Sequence, residues 1–185
     1  MTDFDAAGRW RTRDILVVAV IAVAFGIFFW AFGFAWSALG FLGPFQNVLY
    51  GLWLLPALVA PLIVRRPGAA LFAELVAASL SAFLGSQWAV DTLVSGLVQG
   101  AAAELVFAAW RYRRFDLPVV IAAGLAASVA AFAHDCLVYY GEYAPDVVAV
   151  IAASMAVSAL LLLPAAALLL VRALREAGAL PGYPD

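Results

Sequence analysis

Glu74, Gln99, Glu104, His134 and Asp135 each lie inside a run of otherwise apolar residues, and these are the side chains whose types can do chemistry. Carboxylates share protons or neutralise cations, amides fix ring nitrogens, and an imidazole does either. Glu74 follows Arg66 by eight residues and Glu104 precedes Arg111 by seven. At 1.5 Å of helix rise per residue these are depths of ~12 and ~10 Å from one boundary. Two carboxylates at one depth admit two readings, a proton-sharing pair or acceptors that pin neighbouring helices together. His134 and Asp135 are sequence neighbours, ~100° apart on a helix, so they do not both face one point directly. The dipeptide alone therefore falls short of a metal phosphohydrolase, and a capped, water-exposed helix end is the plainer reading. Gln99 lies eight residues after Asp91, ~12 Å down a helix, with Gln87 and Trp88 above it. Tyr139 and Tyr140 follow Asp135. Amides and carboxylates among aromatic rings suit a small flat organic cation, although Trp and Tyr at such positions also serve as plain interfacial anchors.

Hydrolysis would need a nucleophile, a base and an orienting group within reach, and the sequence offers no such set. No catalytic residue is assigned. The one cysteine, Cys136, makes no internal disulfide, and with the one histidine it falls short of zinc-site spacings. No metal or cofactor is expected.

The elements that hold these groups must be membrane helices. Of the 185 residues, 67% are hydrophobic and 12% charged, and the mean hydropathy is +1.04, where soluble domains have roughly 45–50% apolar and about 25% charged residues. At ~20 residues per crossing, the expected fold is all-α: a polytopic membrane bundle of six transmembrane helices, forming one membrane domain over residues 1–185. Spans are predicted near residues 15–36, 44–64, 68–85, 92–110, 118–139 and 146–171. The first run, from Ile15 to Trp36, lacks a polar cleavage region and is taken as a retained helix.

All ten basic residues are arginines, and they fall in four groups: Arg9, Arg11 and Arg13; Arg65 and Arg66; Arg111, Arg113 and Arg114; Arg172 and Arg175. Six spans place every group on one side, which the positive-inside rule makes cytoplasmic, together with both termini. The opposite connections carry Asp91, Glu142 and Asp146. With the arginines so assigned and a net charge of −2, no basic stripe is left for nucleic acid. Pro44, Pro67 and Pro118 start spans, whereas Pro56, Pro61 and Pro164 lie inside, so spans two and six are expected to be irregular. Small residues four apart, such as Ala69–Ala73–Ala77, Ala122–Ala126–Ala130 and Ala22 with Gly26, allow close helix approach, either within the bundle or against a partner.

Several of these segments carry a family resemblance. They are Arg66-Pro67-Gly68-Ala69-Ala70-Leu71 with Glu74, Ala77-Ala78 and Leu84-Gly85; Gln99-Gly100 with Ala103-Glu104 and Phe107; Tyr50-Gly51-Leu52-Trp53; and Ser128-Val129-Ala130 with Asp135. Together they resemble the YkoE-type S components, the substrate-binding subunits of energy-coupling factor transporters, from about Trp10 to Arg175. The resemblance implies a six-helix, multi-pass subunit of the cytoplasmic membrane that takes up thiamine or its hydroxymethylpyrimidine precursor. It implies partnership with a membrane coupling subunit and two cytoplasmic ATPases, and no enzyme activity of its own. No G-x-x-x-x-G-K-[ST] motif occurs, so ATP is expected to bind elsewhere. Related subunits carry A-x-x-x-A on the first helix towards the coupling subunit. Here Ala22 and Gly26 form an Ala/Gly version at the expected depth, while Ala31 and Ala35 match literally nearer the outer end. The expected binding residues are Trp88, Gln99, His134, Asp135 and Tyr139, with Glu74 and Glu104 as motif residues that contact ligand or lock helices. Small intramembrane enzyme and structural-subunit readings, built on Glu74, Glu104 or the His134–Asp135 pair, stand as the alternatives.

Overall fold

The computed structural model describes residues 9–184, and among them it is all-helical, with no strand. In chain order the elements are α1 (Thr12–Ala38), a 3₁₀ segment (Leu39–Leu54), α2 (Leu55–Val64), α3 (Ala69–Phe83), α4 (Asp91–Ala109), α5 (Leu117–Val138), α6 (Pro145–Val157), a π turn (Ser158–Leu162) and α7 (Leu163–Glu176). Among the described residues four helical stretches are long and apolar enough to cross a membrane: Thr12–Val64, Asp91–Ala109, Leu117–Val138 and Pro145–Glu176. Ala69–Phe83 is apolar but shorter. Proline lies in the first turn of α5 and α6, where its missing N–H has no helical partner to lose.

The irregularity expected of spans two and six is present in both. Gly43, at φ 57° and ψ −138°, breaks the chain away from α1 just before Pro44. From there to Leu54 it winds as a 3₁₀ helix, far longer than the usual three or four residues. In the last span the π turn stands just ahead of Pro164 and contains Leu160, whose carbonyl the proline ring would strike in a regular helix.

α2 is the centre of the molecule, with every residue from Leu55 to Val64 buried. That accounts for its having no polar face. Around it, small residues set the spacing. Ala69, Ala73 and Ala77 of α3 are fully buried. On α5 the fully buried row is Ala123, Ala127 and Ala131, one residue on from the expected Ala122–Ala126–Ala130, which is only half-buried or less so. The closest crossing joins α3 and α4 through Gly96 and Gly100, a G-x-x-x-G pair. A Cβ on Gly96 would lie 2.5 Å from Ala78 Cβ, and one on Gly100 would lie 2.9 Å from Glu74 Cβ.

The arginine-bearing segments gather at one end of the bundle. Buried Asp14 accepts from Arg66 Nε at 2.9 Å, from the Arg11 N–H at 3.1 Å and from Tyr183 Oη at 3.1 Å. Arg13 lies over the Tyr183 ring at 4.2 Å and donates to the Pro181 and Gly182 carbonyls. Arg65 stacks on Phe115 at 5.3 Å. At the other end, Ser37 donates to Gln87, and Tyr139 to Asp91.

Candidate functional site

A cavity of about 280 Å³ opens between α1, the 3₁₀ segment, α4 and α5 at the end away from the arginines. One wall is aromatic: Phe29 and Trp36 come from α1, Trp53 from the 3₁₀ segment and Trp88 from the turn before α4. These rings meet edge-on or tilted, Trp53 lying 5.3 Å from Trp88 and 6.2 Å from Trp36, with Phe32 behind at 4.9 Å. Quadrupolar edges and faces favour such pairings, and they leave a largely apolar, ring-lined wall.

The opposite wall is polar and centred on Asp135. Its Oδ2 accepts from Tyr50 Oη at 2.8 Å and from Tyr140 Oη at 3.3 Å, and its Oδ1 lies 3.1 Å from His134 Nδ1. Gln99 Nε2 donates to Tyr50 Oη at 3.4 Å. The network continues outward, because His134 Nε2 lies 3.1 Å from Asp91 Oδ1 and Tyr139 Oη donates to Asp91 Oδ2. A carboxylate this deep, 5% exposed, is costly in a bilayer unless donors or a cation answer it. The Tyr140 phenol is pushed above its ordinary value by burial and then by the Asp135 charge. Tyr139 is pushed up likewise, by burial and then by its bond to Asp91. Both therefore stay protonated donors.

Of the expected residues, Trp88, Gln99, Asp135, Tyr139 and Glu74 line this cavity. His134 stands beside it and bridges Asp135 to Asp91. The ~100° between neighbours on the helix is thus closed by a hydrogen bond between the two side chains. Glu74 is buried at the cavity floor, where its Oε2 accepts from the Ala57 N–H at 3.0 Å and caps the first turn of α2. Glu104 lies towards the arginine end and does the same for α3. Its Oε1 accepts from the Gly68 N–H at 2.6 Å and from Tyr112 Oη at 2.6 Å, and its Oε2 from the Ala70 and Leu71 N–H groups at 2.9 and 3.4 Å. The two glutamates are thus engaged at different helix ends, Glu104 of α4 accepting from the main chain at the start of α3. Ala22 and Gly26 are buried and turned inward: a Cβ on Gly26 would lie 2.8 Å from Leu80 Cβ. The close approach they permit is made with α3, inside this chain.

Sequence reasoning passed over Tyr50, Trp53, Trp36 and Asp91 as site residues. Tyr50 and Trp53 were visible only as a family motif, and no periodicity reveals that a 3₁₀ segment carries both into a cavity.

Comparison with known proteins agrees with this geometry. Residues 13–130 match a family described as the permease component of an ABC-type cobalt transport system. The chain is 36% identical over 139 residues to the putative HMP/thiamine permease protein YkoE of Bacillus subtilis strain 168, covering 74% of this chain and 70% of that one. Its fold superposes on the crystal structure of an S component of an ECF transporter with a TM-score of 0.89 and 32% identity, over 94% of this chain and 90% of the other. The chain belongs to the YkoE-type family of energy-coupling factor S components, membrane subunits that bind substrate for transport and are not enzymes.

Proposed function

We propose that this subunit captures thiamine or its hydroxymethylpyrimidine precursor at the outer face of the cytoplasmic membrane and delivers it inward with a membrane coupling subunit and two ATPases. The observation that carries the reading is the cavity itself, with ring faces on one wall and the Asp135 carboxylate on the other. Rings attract a flat cation, and the carboxylate neutralises it. About 280 Å³ lies at the small end of ligand sites, which run to ~300–1,000 Å³. That size suits one or two rings and no more.

The matched family is described by cobalt transport. Asp91 and Asp135, however, approach opposite nitrogens of the His134 ring, so they do not converge with it on one point. Among the described residues no group of three His, Cys, Asp or Glu side chains is placed to hold a metal ion. An organic ring fits these walls better.

Six crossings with cytoplasmic termini, in a single membrane domain, complete the reading. The 53-residue stretch Thr12–Val64 is long enough for two crossings once it is broken at Gly43, and the gathering of the arginines supports the sidedness. The coupling subunit would meet the lipid-facing side of α1, where Ala31 and Ala35 are exposed. Purified protein titrated with labelled thiamine and with labelled hydroxymethylpyrimidine tests the substrate, and failure of both to bind refutes it. Uptake by cells should require coexpression of the ATPase partners; turnover of substrate without them would favour an enzyme.

A further inference from the structure

The two broken spans pack against each other, and a hydrogen bond joins them. Gly51 of the 3₁₀ segment donates its N–H to Ser158 Oγ at 2.8 Å, across 107 residues of sequence. Ser158 opens the π turn and is 1% exposed, and it lies outside the cavity lining. The packing leaves no room for a side chain at residue 51, because a Cβ there would sit 2.8 Å from Ser158 Oγ and 2.9 Å from Leu163 Cβ.

Along a helix the Gly51 N–H would bond the Val48 carbonyl in 3₁₀ winding or the Asn47 carbonyl in α winding. Here it donates to the Ser158 hydroxyl, which ties the 3₁₀ segment to the last span at this residue and fixes how the segment is turned about its axis. Register decides which side chains share a face. Residues three apart eclipse in a 3₁₀ helix but stand ~60° apart in an α-helix. Tyr50 and Trp53 are three apart and both line the cavity, one holding Asp135 and the other packed on Trp88. Glu74 stabilises the same segment from below by capping the turn where α2 begins.

We propose that Ser158 is a positioning residue for ligand capture, acting through the Gly51 N–H to hold the second span in the register that turns Tyr50 and Trp53 together into the cavity. This rests on the vitamin-capture reading above. It also gives the π turn a purpose beyond accommodating Pro164: the turn aims a hydroxyl at the neighbouring span.

The test uses the full-length chain in detergent as wild type, Ser158→Ala, Ser158→Thr and Ser128→Ala. Ser128 supplies the control, a buried hydroxyl that donates to the Met155 carbonyl of the same last span. Thiamine affinity is read by tryptophan fluorescence, and ring environment by near-ultraviolet circular dichroism without ligand. Ser158→Ala should lose about tenfold in thiamine affinity, the equivalent of one buried hydrogen bond, and should change the ligand-free aromatic spectrum. Ser158→Thr keeps the acceptor and should stay within about threefold of wild type, and Ser128→Ala should alter neither readout. If Ser158→Ala fails to fold, Ser158→Cys, with a weak acceptor of similar size, should show the same changes to a smaller degree. Wild-type affinity in folded Ser158→Ala overturns the proposal, as does an equal loss in all three variants. A wild-type protein that binds no thiamine or precursor overturns the capture reading instead; an unchanged ligand-free spectrum in Ser158→Ala then overturns the register claim by itself.

Discussion

Replacing Asp135 by Asn removes one negative charge from the cavity wall and leaves the volume unchanged. A thiazolium about 5 Å from that carboxylate is attracted by ~3 kcal/mol at an effective dielectric of 20. Water at the open mouth and the remaining charge of Asp91 reduce the net loss to about 1.5–2.7 kcal/mol, or roughly 10- to 100-fold in thiamine affinity. Hydroxymethylpyrimidine carries no fixed charge. It should feel only the changed pairing with His134, where the new amide nitrogen replaces the oxygen facing Nδ1 while the carbonyl oxygen still serves Tyr50 and Tyr140, about two- to threefold. Titrations at pH 8 can follow the fluorescence of Trp36, Trp53 and Trp88, which line the cavity. Equal losses for both ligands would refute charge pairing and make Asp135 a purely structural group. A thiamine loss that persists while the fold is intact, and that shrinks in 1 M salt, would support it.

Further outcomes follow from the same contacts. Glu74→Gln should be tolerated within about 1 kcal/mol, since one acceptor oxygen suffices for the Ala57 N–H, whereas Glu74→Leu strands that donor and should cost about 1–3 kcal/mol in thermal unfolding. Glu104→Gln should not be tolerated, because an amide cannot accept on both sides as the carboxylate does; a loss of about 2–3 kcal/mol is expected, and a loss below 0.5 would contradict the capping role. Gly96→Ala drives a methyl into Ala78 and should cost about 1–3 kcal/mol while forcing α3 and α4 apart, seen as a lower melting temperature and weaker ligand binding. Tyr139 and Tyr140 are held above the ordinary tyrosine range in the fold. The stability they contribute is fully present below about pH 10 and is lost as pH rises further. Absorbance titration should show them ionising after the exposed tyrosines, and Tyr139→Phe should remove one late proton.

Much of this architecture was legible from residue types alone. Arginine segregation gave the two ends of the bundle, and contacts such as Arg66–Asp14 and Arg65–Phe115 tie the same segments together. Interior prolines marked the two irregular spans because a missing N–H and a ring clash act locally. Composition could not supply the partners of the buried acids. Glu74 and Glu104 read as a matched pair by depth, yet each binds the main chain of a different helix, which depends on how the neighbours cross. The α5 packing row was displaced by one residue because Ala122 and Ala123 are chemically identical, and only the angle of the neighbouring helices decides which faces inward. The G-x-x-x-G of Gly96 and Gly100 was present as a signal and passed over. The cavity needed Tyr50 and Trp53 on one line, a consequence of 3₁₀ winding that hydrophobic periodicity does not encode.

The Asp14 cluster bears on how the protein is made. Asp14 enters the membrane boundary with the first helix, when its neighbour in the chain is the Arg11 N–H. Arg66 arrives 52 residues later and Tyr183 169 residues later. During synthesis the carboxylate must therefore wait at the lipid headgroups, hydrated and half-answered, until the last helix has been inserted. A chain that lacks Tyr183 would leave the arginine-bearing end of α1 without that phenol and the ring beneath Arg13.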